Sequence, residues 1–436
     1  MSFNQGGPQA ARSGVQSRSA TGDPSPDHEN VEPLRGQSIQ GTAAVERFGH
    51  GATLAMPGRL SAVLSVPRSW SEVSPAWMTA ALSRRSPGAV VTAVRVEDVV
   101  DGTNRRARVR LWYEPGSSGL GPEVGPESVF VKREGRLVHR LALVALGALT
   151  AEARLAMSEV PLPIEHPCVY DAGIDLARLA AVVVMDDVTA SGARPNQATA
   201  ALSVAEARDG LEGLASLHGA FWERRLPGAL GFLRPWRLGR AWAPVSAASL
   251  ARGISRLRRL GPGLDLPRGV DALRLEREFR LSAILASAGP QTVLHGDPHP
   301  GNTYRLPGSR TGFYDWQLVR TGNWSHDVGY FMVSSLSVAD RRVHERALLE
   351  DYLEALAATG VEPPDLPAAW ESYRATPAFG LGTWMHTISA GSFQPPDICV
   401  STIERFSAAY ADLDTGRAVS RADRRAAADL VPGRPR

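Results

Sequence analysis

The sequence predicts an α+β chain of two lobes, a small antiparallel sheet with one helix and then a larger, mainly helical lobe. Three observations lead there. Five β-prone runs fall between Val90 and Met185, with a single apolar helical stretch between the third and the fourth. Beyond Asp187 the apolar spacing turns helical almost throughout. The length of 436 residues exceeds one ordinary small domain and suits two lobes with tails.

From Met1 to Val66 the chain is rich in Gly, Ser, Pro and Gln without helical or strand period, which predicts a disordered tail over 1–66. The first lobe is expected over 67–187. Ser74 is a good N-cap, Pro75 suits the first helical position, and Trp77, Met78, Ala81 and Leu82 share one face. Val90 to Val100, Arg106 to Tyr113 and Ser128 to Lys132 read as a meander, broken at Asp101-Gly102-Thr103-Asn104 and by the Gly/Pro-rich Pro115 to Pro126. One helix from about Arg136 to Met157 follows, then strands at Cys168 to Asp171 and Ala181 to Met185. The second lobe is expected over 188–420, with helices near Val204 to Glu223, Ser246 to Leu260, Val270 to Ala288, Val338 to Thr359 and Ser401 to Asp412. A flexible tail is expected over 421–436.

Composition narrows the classes of function. Hydrophobic residues at 43% and charged residues at 21% support a sizeable core. The net charge of +3 is small, and its arginines are spread along the chain, so no nucleic acid partner is implied. Cys168 and Cys399 stand apart from any zinc-like cluster and read as reduced, buried thiols. No stretch holds about twenty uninterrupted apolar residues, so no membrane span is expected and a cytoplasmic protein is. The oligomeric state is left open.

The densest chemistry lies in His295-Gly296-Asp297-Pro298-His299-Pro300-Gly301-Asn302 and in Tyr314-Asp315-Trp316. Phosphoryl transfer needs a carboxylate to orient and deprotonate the attacking hydroxyl, and oxygen ligands to hold magnesium against the phosphates. Asp297 suits the base, and Asn302 with Asp315 suit the metal. A second signal is compositional. Among 48 Lys and Arg residues there is one lysine, Lys132, closing a β-run in the first lobe. A compact ammonium there fits the α- and β-phosphates of ATP as a point charge. Glu152, the only acid between Gly135 and Met157, is the expected partner of Lys132.

These motifs resemble the aminoglycoside phosphotransferase and choline kinase-like families, most closely their ecdysteroid-kinase-like branch. The resemblance rests on H-G-D-x-H-x-x-N at His295 to Asn302, on Asp315-Trp316-Gln317, and on His326-Asp327-Val328-Gly329-Tyr330. It implies a protein-kinase-like two-lobed fold, ATP and Mg2+ as cofactors, and a small-molecule hydroxylated substrate. It also implies that His295, His299 and Asp327 brace the catalytic loop. Gly102, Thr103 and Asn104 then form a reduced phosphate-covering loop that lacks G-x-G-x-x-G, and Met185, Asp186 and Asp187 the hinge at adenine.

Between Ser191 and Pro290 fifteen arginines face eight acids, an excess of seven positive charges. That sign is wrong for a polycationic aminoglycoside, and Trp236, Trp242, Trp370, Tyr373, Phe379 and Trp384 offer flat apolar surface. An apolar or anionic hydroxylated acceptor is expected. A protein kinase fits less well, because His-Arg-Asp and Ala-Pro-Glu segments are missing. A nucleotide-binding pseudokinase that only scaffolds partners is the alternative from another class.

Overall fold

The computed structural model describes residues 64–115, 125–224, 226–236, 239–308 and 310–429. The tail expected over 1–66 lies outside them apart from its last three residues, and of these Leu64 and Val66 are buried in the first lobe.

Helix α1 (Pro75–Leu82) opens the first lobe, with the Ser74 hydroxyl accepting the Trp77 N–H at 3.2 Å and Pro75 in the first turn. It is followed by β1 (Val91–Asp101), β2 (Asn104–Tyr113), β3 (Ser128–Glu134), α2 (Leu137–Ala145), α3 (Ala151–Ser158), β4 (Val169–Asp175) and β5 (Ala180–Asp186). The sheet is antiparallel in the order β1-β2-β3-β5-β4. Alternation gives it two faces. Val109, Val129, Val131, Val182 and Val184 pack with Met78 and Leu82 of α1, whereas Phe130, Val183 and Met185 turn to the side that holds Ala153 of α3.

The single helix expected from Arg136 to Met157 is two. Gly147 takes φ +69°, its N–H bonds the Val144 carbonyl at 3.0 Å, and the Ala148 N–H bonds the Leu143 carbonyl at 2.8 Å. That pair of bonds is a Schellman stop, which an apolar run with one glycine conceals. The break frees α3 to take its own direction, and α3 carries Glu152.

The second lobe runs β6 (Arg194–Pro195), α4 (Val204–Phe221), α5 (Ala243–Leu260), α6 (Ala272–Leu285), β7 (Gln291–Leu294), β8 (Thr303–Arg305), β9 (Thr311–Phe313), β10 (Arg320–Asn323), α7 (Ser325–Ser335), α8 (Val338–Ala358), α9 (Leu366–Ala375), α10 (Pro377–Ala390), α11 (Pro396–Asp412) and α12 (Thr415–Asp429). A capping box between Ser203 and Glu206 starts α4. Two small sheets, β7 with β10 and β6-β8-β9, frame the segments 295–302 and 314–319. Helix α12 continues to Asp429 where a flexible tail was expected from 421, and residues 430–436 lie outside the described chain. Of the two thiols, Cys399 is buried but Cys168 is only half-buried. Among the described residues no helix is long and apolar enough to cross a membrane.

The core of this lobe joins α4, α7, α8 and α10. Gly380 of α10 sits where a methyl group would run into the Phe406 ring. Gly380→Ala is expected to cost about 1–3 kcal/mol through overpacking. Thermal unfolding of the variant checks it, and an unchanged Tm contradicts the packing.

Candidate active site

The loop 295–302 is fixed from four sides. Asp327, in the first turn of α7, accepts the backbone N–H groups of His295 at 2.6 Å and Gly296 at 2.9 Å, one on each oxygen. Burial disfavours its charge, but His218 of α4 at 3.4 Å helps to hold the carboxyl below the ordinary range. His295 Nε2 donates to the Tyr314 carbonyl at 3.1 Å, which leaves Nδ1 to accept the Asp297 N–H at 3.2 Å. Burial lowers the pKa of this ring and keeps it neutral. His299 Nδ1 accepts the Gly301 N–H at 3.1 Å, and its Nε2 lies 3.8 Å from Asp297 Oδ2. Burial pushes the His299 pKa down to about 4, so it too is a neutral spacer. Finally, Arg320 Nη1 donates to the Gly296 carbonyl at 2.9 Å while its guanidinium lies 5.5 Å from Trp236 and 5.6 Å from Phe379.

Asp297 projects from this loop with 26% of its side chain exposed. The Asn302 amide donates to its Oδ2 at 3.1 Å and to its carbonyl at 2.9 Å. Burial, and then the charge of Asp315, push the Asp297 pKa up to about 7. A carboxylate with that affinity for protons suits a general base at neutral pH.

Asp315 follows β9 in the left-handed region at φ +66°. Lys132 Nζ reaches it at 2.6 Å and reaches Glu152 of α3 at 2.6 Å, with only 8% of the lysine side chain exposed. Burial would strip the ammonium of its proton, but Asp315 and Glu152 reverse that and raise its pKa. Burial likewise opposes ionisation of Asp315, and Lys132 outweighs it, holding the carboxyl down at about 2. The second oxygen of Glu152 accepts the Trp316 N–H at 3.1 Å, so α3 grips both the lysine and the residue after Asp315. The structure therefore brings Lys132, Glu152 and Asp315 together, with Asp297 and Asn302 on the adjoining loop.

The hairpin tip at Gly102, Thr103 and Asn104 reaches across to the second lobe. Asn104 donates to the Gln317 side chain at 2.7 Å, and the Thr103 hydroxyl donates to the Phe393 carbonyl at 3.4 Å. His139 of α2 lies 3.1 Å from the Gly102 carbonyl and 3.0 Å from the Ser392 hydroxyl. At the expected hinge, Met185 is buried, and both carboxylates are engaged within the lobe. Asp186 accepts the Tyr170 hydroxyl at 2.6 Å, and Asp187 accepts Arg108 at 2.6 Å and Ser128 at 2.8 Å.

Sequence reasoning did not single out Arg106 or Arg320 for the site, named Tyr330 only within the motif 326–330, and named Trp384 only as acceptor surface. The Tyr330 hydroxyl bears on Asp297, and the Trp384 ring lies 5.4 Å from His299. Trp384 Nε1 has no hydrogen-bond partner among the described residues. Of the aromatic residues expected to offer an acceptor surface, Tyr373 and Phe379 are core, and Trp370 packs on Tyr373 and Arg346 instead. No three His, Cys, Asp or Glu side chains among the described residues cluster to hold a metal alone. Asp315 and Asn302 could supply two hard oxygen donors, a set that suits magnesium when phosphates and water complete its shell.

An antiparallel-sheet lobe joined to a helical lobe, with such a cluster between them, defines a protein-kinase-like phosphotransferase. Residues 129–376 match the phosphotransferase enzyme family, APH, and the chain belongs to that family. It is a phosphotransferase. The match is to the family as a whole and does not single out the ecdysteroid-kinase-like branch. Three solved structures are similar to the chain. A macrolide 2′-phosphotransferase from Brachybacterium faecium is 17% identical, with 72% of this chain and 96% of that one covered and a TM-score of 0.37. A choline kinase from Streptococcus pneumoniae is 13% identical, with 77% and 98% covered and a TM-score of 0.42. An ethanolamine kinase from Plasmodium vivax is 10% identical, with 82% and 95% covered and a TM-score of 0.45. No curated protein matches the chain in sequence.

Proposed function

We propose that the chain is an ATP- and magnesium-dependent kinase of a small hydroxylated molecule. The observation that carries this reading is the ion-paired Lys132, held at 2.6 Å by both Glu152 and Asp315, beside the loop of Asp297 and Asn302. Lys132 contacts the α- and β-phosphates, and Glu152 keeps its ammonium in place. Magnesium, when bound, neutralises charge on the phosphates, and Asp315 with the side-chain oxygen of Asn302 would hold it. Asp297 takes the proton of the acceptor hydroxyl as the new oxygen–phosphorus bond forms and the bond to ADP breaks. His295, His299 and Asp327 hold the loop. Adenine meets backbone groups at Met185 to Asp187, and the tip at Gly102 to Asn104 covers the phosphates. The lobes divide near Asp187.

The excess of arginine between Ser191 and Pro290 favours an apolar or anionic acceptor over a polycationic aminoglycoside. ATP turnover measured over a panel of small alcohols, steroids and antibiotics tests the reading, and a folded chain that turns over none of them favours a scaffold.

Asp315→Ala is expected to abolish the coupling between magnesium and ATP affinity, because the carboxylate that would hold the metal is gone. Titration calorimetry with and without magnesium decides it. Unaltered coupling in the variant places the metal elsewhere.

A further inference from the structure

We propose that Arg106 is a second cationic contact for the nucleotide, reaching the terminal phosphate that Lys132 does not, and that it holds this group during transfer. The inference rests on the nucleotide site proposed above.

Strand register places the residue. Arg106 of β2 pairs with Lys132 of β3, and directly paired residues of antiparallel strands project from the same face. That face is the one shared with Phe130, Val183 and Met185, opposite the valines under α1. Arg106 is half-buried, and its positive charge acts on Tyr314, Asp315 and His299 together. It therefore stands over the cleft between Asp315 and His299, and His299 Nε2 is in turn 3.8 Å from the Asp297 carboxylate. Lys132 is confined deeper, between Glu152 and Asp315.

Its freedom distinguishes it. Arg108, two residues on and on the same face, is fixed by Asp187, Asp98 and Thr189. The Arg106 side chain makes no hydrogen bond or ion pair among the described residues. A half-buried guanidinium without an anion is an open demand, and a phosphate answers it with two parallel charge-assisted bonds that a point charge cannot make. The strand start is meanwhile pinned, by Asn104 on Gln317 and by His139 on Gly102, so Arg106 is presented to the cleft from a fixed backbone. During transfer the acceptor oxygen–phosphorus bond forms, the bridging bond to ADP breaks, and the acceptor proton passes to Asp297. The charge that spreads over the terminal phosphate oxygens lies within the reach of the guanidinium.

Titration calorimetry of the full chain with magnesium and ATP, ADP or AMP tests this on the wild type, Arg106→Ala, Arg106→Gln and Arg106→Lys. Loss of the contact is expected to weaken ATP roughly tenfold or more, the scale of a hydrogen bond to a charged group. AMP affinity should not move, and Lys should recover part of the loss. Melting temperature without ligand should stay near wild type, and Arg106→Lys carries the test should the smaller side chains unfold the lobe. Equal weakening of ATP and AMP, or ATP affinity unchanged in every variant, overturns the proposal. A folded wild type that binds no ATP sinks the nucleotide site itself, an outcome distinct from a wild type that binds and variants that bind equally well.

Discussion

Asp297→Asn is expected to reduce turnover by roughly 10² or more, the usual worth of a general base, while leaving fold and ATP affinity close to wild type. The amide has the same shape, and its oxygen can still accept the Asn302 N–H that now reaches Asp297 Oδ2 at 3.1 Å. What it lacks is the ability to take a proton. The backbone contacts that shape the loop run through His295, Gly296 and Asp327, not through the Asp297 carboxylate, so the geometry should survive. Single-turnover kinetics beside calorimetry separates chemistry from binding. Full turnover in the variant removes Asp297 from the role of base.

Lys132→Arg is expected to lose activity on a similar scale, roughly 10² or more, because positioning supplies most of the catalysis in phosphoryl transfer. An exposed lysine would tolerate the change within about 0.5 kcal/mol. This one is 8% exposed, with a carboxylate oxygen 2.6 Å away on either side. A guanidinium is longer-tipped and planar, so it must push on Glu152, on Asp315 or on the phosphates. Because Glu152 also accepts the Trp316 N–H, the disturbance reaches the segment after Asp315. Turnover and melting temperature measured together decide the matter. Wild-type turnover would show that the nucleotide site lies elsewhere.

Much of this arrangement was legible because it is local. Asp297 and Asn302 sit five residues apart in one loop, and Asp315 closes the next short strand, so the order of residues already groups them. The five strands announced themselves through β-branched runs that alternate between two apolar faces. Two of the helices that escaped notice, α7 and α10, lack such contrast. Every residue of α7 is buried, and α10 buries Phe379, Leu381, Trp384, Met385 and Ile388 around its girth, leaving little polar face for a period to show. Arg106 was hidden for another reason. It joins the cluster only through the pairing of β2 with β3. That relation is not written in the neighbouring residues. The glycine stop at Gly147 was visible as a glycine, but its left-handed backbone was not.

The solitary lysine has a consequence beyond catalysis. Within these 436 residues every other side-chain cation of this type is an arginine, and the one ε-amine is enclosed by Glu152 and Asp315. The described surface therefore offers no lysine for acetylation, methylation or conjugation of another protein. Raised proton affinity also keeps Lys132 in its non-nucleophilic form. Any acylating agent that finds a side-chain amine in this chain must first part the two carboxylates, and in doing so it would undo the ion pairs that join β3 to α3 and to Asp315.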